Sequence, residues 1–383
     1  MQIVVDKDIY FAGEYFSSLG DMIRVDGRSI TAALVKPADI LIVRSVTNVT
    51  ESLLRGSAVR FVGSVTSGTD HVDQAYLQSN GIGFGCAAGS NARAVAEYVL
   101  SSLMVLMEQR EFDPASVTAA IIGCGHTGSL LRGFLHSLGV RCLVTDPPLR
   151  DVTGGQDYCD LDEIVTADII SLHVPLVKNG AYPTWHMIDA GFLKRLRGDV
   201  ILINTSRGGV IDETALLGFL ERHRKACIVL DVWNGEPKID SELLQKTAIG
   251  TAHIAGHSLD GKLRAVDMVY KQVCAYFHQE YTATGMDNFS KLAPAEISLS
   301  ADVPELEAVQ MAVLTSYDVR TDAGALRQIL DLEPQQRPAF FDDLRSQYRS
   351  RREFSALCVK LTAKSRRLAV MLKQLGFLTT LQP

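Results

Sequence analysis

The chain has 383 residues, more than one ordinary hydrophobic core accommodates, so two or three domains are expected. With 47% hydrophobic residues, 21% charged residues and a net charge of −6, it reads as globular, with no general attraction to nucleic acid or anionic membrane. The opening MQIVVDKDIY lacks the basic lead and apolar core of a signal peptide, no apolar run is long enough to span a bilayer, and the seven cysteines form no CxxC pair. The cysteine pattern argues against a disulfide frame or zinc site and for a reducing, cytoplasmic compartment.

In chain order, QIVV, ADILIV, VRFVGS and GIGFG predict short buried strands, with helices near 10–19, 50–56 and 72–80 between them. Such alternation predicts a parallel α/β sheet. A long helix is predicted from near Asn91, with Val95, Val99, Leu103 and Leu106 on one face. It should carry the chain into a second α/β domain that opens with AAIIGCGHTG. Further strands are expected at RCLVTD, DIISLHV, DVILINT, ACIVLDV and AIGTAH, alternating with helices near 127–138, 189–196 and 212–223. Ser258 is a candidate cap for a helix carrying Leu263, Val266, Tyr270, Val273 and Phe277, which should return the chain to the first domain. From about Met286 the charges nearly balance, with helices expected over Pro304–Tyr317 and Ala363–Leu375 and a strand at FSALCVKL. The predicted organisation is a discontinuous first domain (1–92 with 258–285), a second domain (93–257) and a C-terminal α+β domain (286–383).

Gly123-Cys124-Gly125-His126-Thr127-Gly128 fits G-x-G-x-x-G between the strand AAIIG and a helix. Gly123 permits the tight turn, Gly125 lets a pyrophosphate approach the backbone, and Gly128 lets helix and strand pack closely. The helix start at His126 and Thr127 supplies N–H donors for phosphate. Asp146 ends the next strand, where a carboxylate accepts hydrogen bonds from ribose hydroxyls and repels a 2′-phosphate; this predicts NAD rather than NADP. The alternative is an ordinary β–α turn without a ligand. Cys124, inside the turn, is either a small filler or an oxidation-sensitive thiol.

Three polar residues then follow apolar strand-like runs: Arg207 in NTSRGGVID, Glu236 in LDVWNGEP and His253 in GTAHIAGHS. A neutral imidazole can take a hydroxyl proton while hydride leaves the same carbon, and imidazolium can return it. A carboxylate on the other ring nitrogen orients the ring and favours its charged form. A guanidinium can grip a carboxylate through two parallel bonds and polarise the developing carbonyl. Together the three predict oxidation of a 2-hydroxy acid. Asp231 ends a strand and is a candidate to face the nicotinamide carboxamide. Taken singly, each residue has a bland alternative as a structural hydrogen-bonder, surface ion-pair member or turn former.

With GCGHTG, NTSRGGVID, DVWNGEP and TAHIAGHS in hand, the chain resembles the D-isomer-specific 2-hydroxyacid dehydrogenases over most of its first 285 residues. The resemblance implies a flavodoxin-like substrate domain, a Rossmann NAD domain and a C-terminal dimerisation domain. LIVRSVTNV, SVTSGTDHVD, TDPP, SYDVRTD and FDDLRSQYRSRREF are the more specific marks. They imply oxidation of 4-phospho-D-erythronate to 2-oxo-3-hydroxy-4-phosphobutanoate with NAD, toward pyridoxal phosphate, by a cytoplasmic homodimer with its active site between the first two domains. The matched motifs imply active-site roles for Arg207 and Glu236 and a proton donor at His253. They imply cofactor contacts at Asp146, Val174, Thr205, Arg207, Asp231 and Gly256, and substrate contacts at Ser45 and Thr66. Arg44 could add charge to the substrate site or serve a scaffold ion pair. His257 stands where the family often has Tyr contacting substrate, Val174 where Thr is common, and CAAGSN lacks the usual proline. The alternatives are a dehydrogenase of another 2-hydroxy acid such as 3-phosphoglycerate, or an NAD-sensing regulatory protein on the same fold.

Asp70-His71-Val72-Asp73 reads as a helix cap at Thr69 or Asp70 rather than a metal cluster, and no metal is expected. Arg345, Arg349, Arg351 and Arg352 form a basic cluster, either salt-bridged within the tail or neutralising a substrate phosphate across a dimer interface.

Overall fold

The computed structural model describes residues 1–110, 113–155, 157–282, 294–300, 302–362 and 366–382. The boundary expected near Met286 and the helix start expected at Ala363 lie outside them. The chain divides into two compact units, Met1–Asn91 with Ser258–Ala293, and Ala92–His257 with Pro294–Pro383.

The first unit is built on five parallel strands: β1 (Gln2–Asp6), β2 (Asp21–Val25), β3 (Ile40–Val43), β4 (Phe61–Ser64) and β5 (Gly83–Cys86). Their spatial order is β2-β1-β3-β4-β5, the flavodoxin-like order. β3 and β4 are buried at every position, as strands covered on both faces must be, whereas the edge strand β5, predicted as buried, has only Gly85 fully buried. The edge strand β2 escapes the hydrophobic pattern because none of its five residues is fully buried. Helix Leu259–Tyr276 packs on this sheet through Leu263, Val266, Val269, Tyr270 and Val273, and Ser258 caps it by accepting from the Gly261 amide at 2.9 Å. The cap of the helix Gln74–Ser79 is Asp73, which accepts from Tyr76 N, and not Thr69 or Asp70; its carboxylate reaches the free amide one turn on.

The second unit holds six parallel strands in the order β11-β10-β9-β8-β6-β7: β6 (Thr118–Ile122), β7 (Arg141–Thr145), β8 (Ile169–Leu172), β9 (Ile201–Asn204), β10 (Cys227–Leu230) and β11 (Ile249–Gly250). The order reverses between β6 and β8, and Cys159 N adds a bond to Val144 O on the free side of β7. In such a sheet ligands bind beyond the carboxyl ends of the strands at the reversal. Helix Ala92–Arg110 opens the unit, and every residue from Ala94 to Leu106 is buried, so it is a core helix rather than the one-faced helix its spacing predicts.

The described C-terminal residues belong to this unit. Three parallel strands, β12 (Ala295–Ser298), β13 (Leu357–Thr362) and β14 (Leu378–Gln382), lie in the order β12-β13-β14 with helices Glu305–Ser316 and Arg366–Leu375 as expected. Helices Val319–Arg327 and Arg337–Ser346 are additional. Val309, Val313, Val359 and Leu372 join Val99, Leu103 and Phe134 in one continuous core. Buried polar contacts reinforce it: Ser101 donates to Tyr317 O at 2.8 Å, and Phe354 N donates to Glu97 at 3.0 Å. No helix among the described residues is long and apolar enough to cross a membrane.

Candidate active site

Gly123 ends β6 at φ +88°, and Gly125 caps the helix His126–Ser137. A β-carbon on Gly123 would lie 2.8 Å from His173 O, and one on Gly128 would lie 2.0 Å from Gly123 O. One on Gly125 would meet nothing within 4 Å. Two glycines therefore exist for close packing, while the middle one faces open space before a helix N-terminus. Asp146 is tied to this turn, accepting from Cys124 N at 2.8 Å and from Leu149 N at 3.0 Å. The Cys124 thiol is raised by burial and by Asp146, against the Arg132 charge, so a reactive thiolate is disfavoured.

Across the strand reversal, His173 follows β8 and Thr205 follows β9. The His173 ring is clamped between Ser171 Oγ at 2.9 Å and Thr205 Oγ1 at 3.2 Å. Burial lowers its pKa to about 3, so it stays neutral and fixes the Thr205 hydroxyl as a plain hydrogen-bond partner. Val174 presses its Cγ1 toward Gly123. Along the chain His173 carries no mark of its own; its place between two hydroxyl residues on neighbouring strands is the signal that tertiary structure supplies.

Arg207 caps the short 3₁₀ turn Gly208–Val210, and its backbone is held by Asn204 Nδ2, which donates to Arg207 O at 3.0 Å. Its Nη1 donates to Ser206 O at 2.8 Å. A β-carbon on Gly208 would lie 2.0 Å from the Trp233 carbonyl carbon, so the NTSRGG and DVWNGEP loops meet backbone to backbone. This brings Arg207 beside the loop that carries Glu236.

Glu236 and His253 form a hydrogen-bonded pair, with Nδ1 to Oε2 at 2.8 Å. The second carboxylate oxygen accepts from Trp233 N at 2.7 Å. Burial alone would raise the Glu236 carboxyl. The His253 charge, its hydrogen bond, the Trp233 amide and the Arg345 charge more than offset this and hold it below its ordinary range. An ionised carboxylate on Nδ1 fixes the ring and leaves Nε2 for proton exchange. The His253 side chain is 32% exposed, enough to meet a substrate, against 17% for Glu236.

His253 sits at φ +55°, a conformation that costs a non-glycine residue on the order of 1–3 kcal/mol. Asp231 holds it there. His253 N donates to Asp231 O at 2.7 Å, while the Asp231 carboxylate accepts from Thr251 Oγ1, Ile254 N and Ala255 N at 2.7, 2.8 and 3.0 Å. At 2% exposure this carboxylate is an internal anchor of the His253 loop, which the expectation of a nicotinamide contact did not foresee. Burial raises its carboxyl, opposed by His253 and the three hydrogen bonds. Tyr98 OH to Thr251 at 2.8 Å and Trp233 Nε1 to Thr251 O at 2.9 Å complete the support. Glu213 accepts from Asn234 N at 2.7 Å in the same neighbourhood, and burial raises its carboxyl to about 7.

The C-terminal region reaches this loop. Arg351, 3% exposed, donates to Ala255 O at 3.2 Å and Ala94 O at 2.7 Å and lies 3.6 Å from the Tyr317 ring centre. The tail cluster thus splits. Arg351 is internal, with Glu97 3.9 Å away, whereas Arg349 pairs with Asp322 at 3.6 Å. His257 meets the Tyr348 ring edge-on, with centroids 5.6 Å apart, and Gly256 lies between His257 and the anchored segment.

In the first unit, Ser45 is exposed after β3. Thr66, after β4, pairs with Ser64 Oγ at 2.7 Å and donates to Gly68 O at 2.8 Å. Arg44 binds Asp6 through two nitrogens at 2.8 and 3.1 Å and Asp8 at 2.7 Å, the scaffold ion pair rather than an uncommitted charge. No group of three or more His, Cys, Asp or Glu among the described residues could hold a metal.

Residues 102–255 match the family model of the D-isomer specific 2-hydroxyacid dehydrogenase NAD-binding domain, and residues 290–376 match a domain of unknown function, DUF3410. A protein named erythronate-4-phosphate dehydrogenase from Escherichia coli (strain K12) is 43% identical over 385 residues, covering 98% of each chain. One of the same name from Pseudomonas syringae pv. syringae (strain B728a) is 42% identical over 377 residues, covering 98% of this chain and 99% of that one. The fold is shared with 3-phosphoglycerate dehydrogenase of Entamoeba histolytica, solved with NAD, at TM-score 0.62 and 22% identity over 74% of this chain and 97% of the other. It is shared too with D-lactate dehydrogenase of Aquifex aeolicus, solved with NAD and lactic acid, at TM-score 0.60 and 24% identity over 73% and 96%. The turn, the anchored imidazole and the full-length likeness agree: the chain belongs to the D-isomer specific 2-hydroxyacid dehydrogenase family.

Proposed function

We propose that the chain oxidises erythronate 4-phosphate at C2 with NAD, yielding 2-oxo-3-hydroxy-4-phosphobutanoate on a route toward pyridoxal phosphate. The observation that carries this reading is the Glu236–His253 pair at 2.8 Å, in the same unit as the glycine turn. Relatives bearing that enzyme's name match along 98% of the chain, tail included.

The residues at the turn suit a dinucleotide: open space at Gly125, a helix N-terminus for the pyrophosphate, and Asp146 for the ribose, with a charge that disfavours a 2′-phosphate. His126, Thr127, Val174, Thr205, Arg207, Asp231 and Gly256 complete the assigned cofactor surroundings. When bound, NAD supplies the hydride acceptor. Arg207 holds the substrate carboxylate and polarises the oxygen at C2. His253 takes the hydroxyl proton at Nε2 as the C2–H bond breaks toward the acceptor, and the C–O bond becomes a carbonyl. Glu236 stabilises the imidazolium so formed. Ser45, Thr66 and His257 are assigned to the substrate.

In this reading residues 1–92 with 258–285 form the substrate domain, 93–257 the NAD domain and 286–383 a dimerisation domain of a cytoplasmic homodimer. The exposed Leu378 and Leu381 on β14, an edge strand, and Val370 on the adjoining helix support a self-association face. The test is NADH formation with erythronate 4-phosphate against a panel of other 2-hydroxy acids, 3-phosphoglycerate included. A clear preference for erythronate 4-phosphate is expected; preference for another acid, or NAD binding without turnover, refutes the reading.

A further inference from the structure

Positions 337, 341 and 345 of the helix Arg337–Ser346 are four residues apart and share one face. Two of them show where that face lies. Arg337 Nη1 donates to Ser241 Oγ at 2.6 Å, and Phe341 is fully buried in the cluster that contains Trp233 and Ala252. The helix therefore meets the start of the helix Ser241–Lys246, five residues beyond Glu236. Arg345 ends the same face, and its positive field reaches Glu236.

Arg345 Nε is buried and meets no hydrogen-bond acceptor among the described residues. Buried guanidinium groups are ordinarily paired, because they carry five donors and cannot lose their charge. Three other arginines are committed: Arg44 to Asp6 and Asp8, Arg349 to Asp322, and Arg351 to the Ala94 and Ala255 carbonyls. Arg207 is the assigned carboxylate holder. A planar guanidinium whose Nε meets no acceptor, and whose field reaches the acid–base pair, is suited to a phosphate, which it can meet through two parallel bonds.

We propose that Arg345 is the specificity residue that receives the phosphate of a phosphorylated 2-hydroxy acid, so that the C-terminal region completes the substrate site of its own chain. This rests on the phosphorylated-substrate reading above.

The test compares two matched pairs, erythronate 4-phosphate with erythronate and 3-phosphoglycerate with glycerate, in the full-length wild type, Arg345→Met and Arg345→Lys, followed by NADH formation. In Arg345→Met, KM for the phosphorylated members should rise on the order of 30-fold, the scale of a lost charge-assisted contact. Loss of the Arg345 field on Glu236 should lower kcat by the same factor on both members of a pair, so the ratio of kcat/KM between the phosphorylated and unphosphorylated members isolates the phosphate contact. Arg345→Lys should recover part of the loss. Equal losses in kcat/KM on both members of a pair, or no loss, overturn the proposal. A wild type that prefers 3-phosphoglycerate refutes the erythronate reading alone, provided Arg345→Met still flattens the phosphate preference. A wild type without phosphate preference refutes both.

Discussion

The turn Gly123–Gly128 and the loop Thr251–His257 both follow strands of one parallel sheet, but they are built by opposite means. The turn works through missing side chains, with Gly123 and Gly128 allowing contacts no β-carbon could share and Gly125 leaving its neighbourhood open. The loop works through a buried charge. Asp231 collects three hydrogen bonds on its carboxylate and holds His253 in a left-handed conformation. A phosphate is met by backbone amides, which need proximity; a proton-transfer ring needs orientation, which takes a fixed acceptor on one ring nitrogen and an anchored backbone.

Substitutions can break that contrast. The largest expected effect is on the loop. His253→Gln should abolish turnover while NAD affinity, read by fluorescence titration, stays near the wild-type value. Asp231→Asn keeps the size but places an amide against backbone donors, so kcat should fall about 100-fold as the ring loses its position. Equal NAD weakening in both variants would contradict the division between loop and turn.

The turn should respond in affinity instead. Gly128→Ala forces a β-carbon to within 2.0 Å of Gly123 O and should lower thermal stability as well as NAD affinity. Gly125→Ala meets nothing in the protein, so its melting temperature should be unchanged while its Kd for NAD rises. A matched fall in stability at both positions would show that Gly125 is structural.

The smallest effect concerns Glu213, whose carboxyl burial raises to about 7. The folded state then binds more protons than the unfolded chain between the ordinary carboxylate range and that value. Stability is therefore lost as pH rises through this window and levels off above it. Glu213→Gln removes the penalty, so its stability relative to wild type should improve by about 2 kcal/mol between about pH 5 and about pH 8. Paired urea unfolding at the two pH values measures this; an unchanged or reversed difference would show Glu213 ionised throughout.

Some of this was legible along the chain. The mainly apolar runs at β3, β4, β8 and β9 announce parallel strands covered on both faces, because burial there is a property of composition. β2 was missed since its residues face water, and the helices Val319–Arg327 and Arg337–Ser346 since their apolar positions are few and widely spaced. Glu236 and His253 stood out as polar residues closing apolar runs. The support beneath them, Thr251, Trp233 and Tyr98, did not, because a hydroxyl or indole in an apolar stretch looks like core until its partner is known.

Residue order by itself determined the glycine turn, the strand-ending triad and the α/β alternation, all of which rest on spacing within a few residues. Only the tertiary structure decided that Asp231 anchors the His253 loop, that Arg44 is bound by Asp6 and Asp8, and that Arg351 lies in the interior while Arg345 Nε meets no acceptor among the described residues. A charged side chain carries the same letter whether it is paired or free, and its partners here lie tens to hundreds of residues away. Which charge is neutralised is settled by what the folded chain packs against it.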